Sequence, residues 1–167
     1  MSIGSKKDLE ALRRIGFIVA LTVQEMFRAL RIGMTTAELD EVGRQVLEQH
    51  GARSAPKLCY GFAGSTMISI NEEVAHAIPG ARRIQDGDMV NIDVSAELNG
   101  YFADTGSTRP VGNASEVAHR LCEASQEALA QAGGGFGHFQ AFANQLGKHD
   151  LEILIRSFCV GGGLDAV

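Results

Sequence analysis

Asp93 and Asp104 stand eleven positions apart, with Asn99-Gly100 between them. Val90, Ile92 and Val94 alternate with Asn91, Asp93 and Ser95, which is the period-two pattern of a strand. Asn-Gly is the strongest short hairpin turn signal, because a type I′ turn needs positive φ at both central residues. If those two residues form the turn, Leu98 pairs with Tyr101, Ser95 with Asp104 and Asp93 with Gly106. Both carboxylates then leave the same face of the hairpin as diagonal neighbours, with Cα atoms about 7–8 Å apart. Two such carboxylates repel, and burying them is costly unless a cation neutralises them. The pair therefore predicts a metal site. Without the cation, repulsion should raise one carboxyl pKa.

The elements around the hairpin follow from periodicity and punctuation. Ser5 to Asp8 is a capping start for a helix of about seven turns that Gly33 ends, with apolar residues at helical spacing from Leu9 to Leu30. Thr35-Thr-Ala-Glu38 is a capping box for a second helix that stops at Gly51. Residues 54–64 read as a loop. Residues 66–70 and 74–78 read as two short strands joined at Asn71-Glu72-Glu73 and closed by Pro79-Gly80. His76 falls in the second of these, where a satisfied core histidine is the ordinary reading. A third helix opens at residues 113–116, runs to about Gln131 and is broken by the glycines at 133–135. A shorter helix is expected over residues 136–146 and a strand over 151–160. This order hints at an internal repeat, hence two similar lobes about a pseudo-twofold axis. His119, His138 and His149 fall on helices or a turn and read as surface or packing residues, and His50 reads as a helix-end residue.

Composition narrows the classes. The chain has 167 residues, 45% of them apolar, 20 glycines and a formal net charge of −5. That suits one domain with a sizeable core and argues against nucleic acid as a direct partner, which needs a basic surface. The apolar run at residues 17–22 is far short of the roughly 20 residues of a membrane span. No signal peptide is visible, and Cys59, Cys122 and Cys159 read as reduced thiols of a cytoplasmic protein.

Taken together, Ser-Thr-Met-Ile-Ser-Ile-Asn-Glu-Glu-Val-Ala-His-Ala-Ile-Pro at residues 65–79, Asp-Gly-Asp-Met-Val-Asn-Ile-Asp at 86–93 and Asp104-Thr105 resemble type I methionine aminopeptidase. The resemblance runs from about Lys6 to Ala132. It implies a pita-bread fold, in which two pseudo-symmetric α/β lobes flank a dinuclear metal centre, and removal of the initiator methionine from nascent chains. By that likeness Asp93 chelates one metal and Asp104 bridges both. His76 lies outside the metal shell, hydrogen-bonds the substrate peptide and helps catalysis. Cys59, Phe62 and Met67 align with the apolar pocket for the methionine side chain, where the family varies. The cofactor would be a divalent ion such as Mn, Fe, Co or Zn, suited to carboxylate ligands. Partners would be peptide N-termini beginning with Met, near the ribosome, with no membrane.

The family also uses a histidine in a Gly-His-Gly segment and two later glutamates. Here Leu-Glu-Ile-Leu-Ile-Arg-Ser-Phe-Cys at residues 151–159 resembles the strand before that segment, but Val160-Gly-Gly-Gly-Leu-Asp-Ala-Val167 follows it. The expectation is one aminopeptidase-like domain over residues 1–167. Its first lobe, residues 5–112, is complete, and its second, 113–167, is partial, with impaired activity and a tendency to self-associate through an exposed edge. Three other readings stay open: a non-catalytic peptide- or partner-binding remnant, a degenerate product without function, and a creatinase or proline-dipeptidase relative of the same fold.

Overall fold

The computed structural model describes residues 3–134. The expected helix at 136–146 and strand at 151–160 lie outside the described residues, as do His138, His149 and Cys159.

Helix α1, Lys6–Ala29, starts from Ser5, whose hydroxyl accepts from the Asp8 amide. After Gly33 (φ +85°) comes α2, Thr36–Gln49. Its capping box is formed as expected, with Thr35 and Glu38 satisfying each other's free amides. Strand β1 is Arg53–Ser54, and α3 spans Ala55–Tyr60. Strands β2, β3 and β4 are Met67–Ile70, Met89–Leu98 and Tyr101–Pro110, and α4 is Glu116–Gly134. Every strand pairing is antiparallel. β4 runs along one edge of β3, while β1 and β2 share the other edge end to end, opposite residues 96–97 and 90–93.

β3 is thus the central strand, and its pleat divides two environments. Val90, Ile92, Val94 and Ala96 are fully buried with Ile68 and Ile70 of β2 against α1 and α2. Asn91, Asp93 and Ser95 point to the opposite face. Two side-chain anchors hold the helices in place: Tyr101 donates to Asp8 across 2.6 Å, and Asp40 of α2 accepts from the Ser65 and Thr66 amides just ahead of β2. The helices themselves touch at Gly43, where a Cβ would lie 2.7 Å from both the Met26 Sδ and the Thr66 Cγ2. Gly43→Ala should therefore destabilise the fold by about 1–3 kcal/mol, the usual cost of overpacking, read as a lower urea midpoint.

Three local expectations are corrected. Residues 54–64 are not simply loop. Ser54 caps α3, Pro56 sits in its first turn and Gly61 ends it in the left-handed conformation (φ +70°). Residues 74–78 form no strand. Val74 is 99% exposed and His76 has φ +55°, a conformation no strand contains. Small residues at 75 and 77 gain little from sheet burial, and Glu73 folds back to accept from the Ile70 amide, turning the chain away. Finally, α4 continues through Gly133 to Gly134, past the expected stop at Gln131. Of the suggested second repeat, only α4 falls within the described residues.

Candidate metal centre

The hairpin register is the expected one: Asn99 and Gly100 both have positive φ, Asp93 faces Gly106, and Ser95 faces Asp104. Met67 of β2 faces Asp93 from the other side. Met67, Asp93 and Gly106 therefore form one rank across three strands on one face, with Asp104 diagonal to it. The expected pairing of carboxylates is present.

The two carboxylates sit in different surroundings. Asp93 is on the central strand, its side chain only 17% exposed, and its Oδ1 is buried with no hydrogen-bond donor among the described residues. Burial, reinforced by the Asp104 charge and offset by His76, pushes its pKa from 3.8 up to about 6. Asp104 is on the outer strand and exposed, and Ser95 donates a 2.5 Å hydrogen bond to its Oδ1. A glycine opposite Asp93 matters as well. A Cβ at Gly106 would lie 3.0 Å from the Ile92 carbonyl oxygen and 3.5 Å from the Asp93 Cβ, crowding the aspartate.

His76 is carried by the loop between β2 and β3, with its Nε2 3.8 Å from Asp93 Oδ2 and its side chain 68% exposed. The loop is tied down at both ends. Thr36 accepts from the Gly80 amide, and Arg82 pairs with Glu72 and Glu73. Of the three residues aligned with the methionine pocket, the sheet brings Met67, 3% exposed, beside Asp93. Cys59 is exposed on α3, and Phe62, half-buried just after it, meets Tyr60 edge-on with ring centroids 6.4 Å apart. His50 only caps α2, its Nδ1 2.9 Å from the Val46 carbonyl oxygen, and His119 is exposed on α4. A groove of about 740 Å³ opens between the site face and α4, lined by Gly106 and Thr108 on one wall and Leu121, Cys122 and Leu129 on the other.

This arrangement fits a divalent cation. An orphaned buried carboxylate oxygen beside a second, exposed carboxylate is an incomplete oxygen donor set that a hard or borderline ion satisfies. Among the described residues no group of three or more His, Cys, Asp or Glu side chains gathers to hold a metal, so these residues furnish part of a coordination sphere. No motif marks Ser95 as a site residue, although the register alone places it opposite Asp104. Because an outer partner that orients a ligand carboxylate is worth about 10–100-fold in metal affinity, Ser95→Ala should weaken manganese binding by that order in calorimetry. Unchanged affinity would reduce the hydroxyl to a passive neighbour.

Comparison with known proteins places the chain in a lineage. The family described as Metallopeptidase family M24 matches residues 10–136. The chain belongs to that family. Methionine aminopeptidase 2 of Bacillus subtilis is 46% identical over 140 residues, covering 81% of this chain and 56% of the relative. A methionine aminopeptidase of Staphylococcus epidermidis is 45% identical over 133 residues, covering 79% and 53%. Among solved structures, methionine aminopeptidase from Rickettsia prowazekii superposes with a TM-score of 0.73 at 31% identity, over 78% of this chain and 52% of its own. The prolidase from Pyrococcus furiosus shares the fold, with a TM-score of 0.68 at 23% identity over 78% and 37%. The M24 chain thus has the pita-bread fold of these neighbours, and its described part corresponds to the first portion of the domain. It spans about half the length of the methionine aminopeptidases it matches. Membership in a metallopeptidase family brings divalent-metal chemistry with it. Among the described residues, no helix is long and apolar enough to cross a membrane.

Proposed function

We propose that this chain works in the removal of N-terminal methionine from peptides, with Asp93 and Asp104 as metal ligands. The observation that carries the reading is the orphaned Asp93 oxygen, aligned with Asp104 and His76 on one face of a chain 46% identical to a methionine aminopeptidase. The stronger likeness to aminopeptidases than to prolidase, in identity and superposition alike, favours methionine release over cleavage at proline. What the ions supply when bound is Lewis acidity, giving a nucleophilic water at neutral pH and stabilising the charge that develops on the scissile carbonyl.

The protein's own residues divide the remaining work. Asp93, on the central strand, would hold one ion. Asp104, on the outer strand and hydrogen-bonded by Ser95, would be the second carboxylate ligand. His76, reaching over the site from its loop, hydrogen-bonds the substrate backbone. Met67 with Cys59 and Phe62 receives the methionine side chain, since thioether, thiol and ring are soft, polarisable surfaces that suit it. Manganese, iron, cobalt and zinc all match the donor chemistry. The setting is the cytoplasm near nascent chains, and the domain divides into a first lobe at residues 5–112 and a second from 113 onward.

Release of methionine from a Met-Ala-Ser peptide by the full chain with added manganese or cobalt tests this directly. Release that Asp93→Asn abolishes supports it; no release at high protein concentration overturns it. A second reading rests on the incomplete donor set among the described residues: the chain binds peptide N-termini without cleaving them. Calorimetry separates the two, because binding without catalysis should persist when metal is chelated. Self-association is part of the proposal too. Val117 and Leu121 of α4 are 73% and 57% exposed, and such surface favours a dimer. Light scattering that shows a monomer across a hundredfold concentration range would remove that element alone.

A further inference from the structure

His76 adopts its position without much help from its own side chain. The imidazole is 68% exposed, and its backbone sits at φ +55°, a region that residues with a Cβ seldom occupy unless the surroundings impose it. What imposes it is visible one residue later. Ala77 is clamped to β2 by both backbone groups: its carbonyl accepts from the Ile68 amide, and its amide donates to the Ser69 hydroxyl, each across 3.3 Å. Ser69 is 2% exposed and lies on the same face of β2 as Met67, opposite Asn91 and therefore one rank along from Asp93. A second constraint lies beyond. Pro79 packs on Gly64, where a Cβ would come within 2.7 Å of the proline ring. With residue 77 pinned to the strand and residue 79 seated on Gly64, His76 is held between them in the left-handed conformation, its Nε2 3.8 Å from Asp93 Oδ2.

We infer that Ser69 is a positioning residue for His76: its buried hydroxyl captures the Ala77 amide and so sets the backbone that presents the imidazole to the metal face. The inference rests on the reading of His76 as a substrate-binding group of an aminopeptidase, and it gives β2 two tasks in that site. Met67 faces the methionine side chain while Ser69 holds the histidine that meets the peptide backbone. Placement of a reacting or orienting group to within an ångström is worth up to about a hundredfold in rate, so a relaxed His76 should be felt in turnover more than in binding.

The full chain, loaded with manganese and given Met-Ala-Ser peptide, decides the matter together with nuclear magnetic resonance on the same samples. In the native protein the Ala77 amide should exchange slowly with solvent, and the His76 amide-to-Hα coupling should report positive φ. Ser69→Ala should free the Ala77 amide, shift that coupling and lower kcat about tenfold while KM stays within about twofold. Ser69→Thr, which keeps the hydroxyl, should restore kcat to within about threefold of native. In a His76→Ala background, Ser69→Ala should cost nothing further, since its effect passes through the missing imidazole. Losses that multiply in the double variant, or a His76 coupling that Ser69→Ala leaves unchanged, overturn the inference. So does free exchange of the Ala77 amide in the native protein, which needs no variant to fold. If the native chain releases no methionine, the aminopeptidase reading fails, while the resonance measurements still decide whether Ser69 sets His76.

Discussion

Asp93→Asn should make the metal-free protein more stable at pH 8 by about 2 kcal/mol while abolishing tight metal binding. The gain follows from the carboxyl's raised pKa, about 6 in the folded chain against 3.8 for an ordinary aspartate. Below pH 3.8 the folded and unfolded chains both carry the proton, and the residue is without penalty. Between 3.8 and about 6 the folded chain keeps a proton that the unfolded chain has lost. Native stability then falls as pH rises, by up to about 1.4 kcal/mol per unit, and levels off above that window. The full span is about 3 kcal/mol, from which the burial cost of the replacing amide must be deducted. Urea unfolding at pH 4 and pH 8 with chelator present checks both halves. The native protein should lose stability over that range, and the Asp93→Asn variant should lose markedly less of it. Added manganese should reverse the order at pH 8, because only the native carboxylate gains from the ion. Equal stability of the two proteins at pH 8 without metal would mean that Asp93 is already satisfied.

Much of the site is legible in the sequence, because the hairpin is a local object. Asn99-Gly100 dictates the turn, the turn dictates the register, and the register puts Asp93 and Asp104 on one face before any tertiary contact forms. The capping box at Thr35–Glu38 was readable for the same reason. Helix α3 was not, since a six-residue element has no room to display helical periodicity and its Ser54, Pro56 and Gly61 signals also suit a loop. The stretch around His76 misleads more seriously. Val-Ala-His-Ala-Ile alternates as a strand should, yet among the described residues no partner strand receives it, and distant contacts with Ser69, Gly64 and Thr36 decide its path instead. The asymmetry within the pair was hidden too. Both aspartates face one way, but only Asp93 lies on a strand flanked by β2 and β4, so only it is buried enough for its charge to cost stability.

That asymmetry makes Asp104→Asn the sharper probe of the metal itself. Asp104 is exposed and its charge is solvated, so its loss should leave the urea midpoint of the metal-free protein nearly unchanged or slightly raised. Metal affinity should nevertheless collapse by at least about a hundredfold, more than the roughly 10–100-fold that loss of an outer partner costs. The methionine release proposed above should disappear with it, since that reading makes Asp104 a metal ligand and the metal the source of the nucleophilic water. The same substitution carries a proton signature. Asp104's negative charge is one of the causes that raise the Asp93 carboxyl, whereas His76 lowers it. Removing Asp104 should therefore shift the protonation midpoint of Asp93 toward lower pH, and His76→Ala should shift it upward. Carbon-13 resonance of the Asp93 carboxyl, followed in chelator from about pH 3 to 8 across the aspartate range, reads both directions. Opposite shifts place the three groups in one electrostatic unit on the site face. Absence of a shift in both variants would show that Asp93's burial alone governs its charge, and the case for a shared cation would then rest on affinity measurements by themselves.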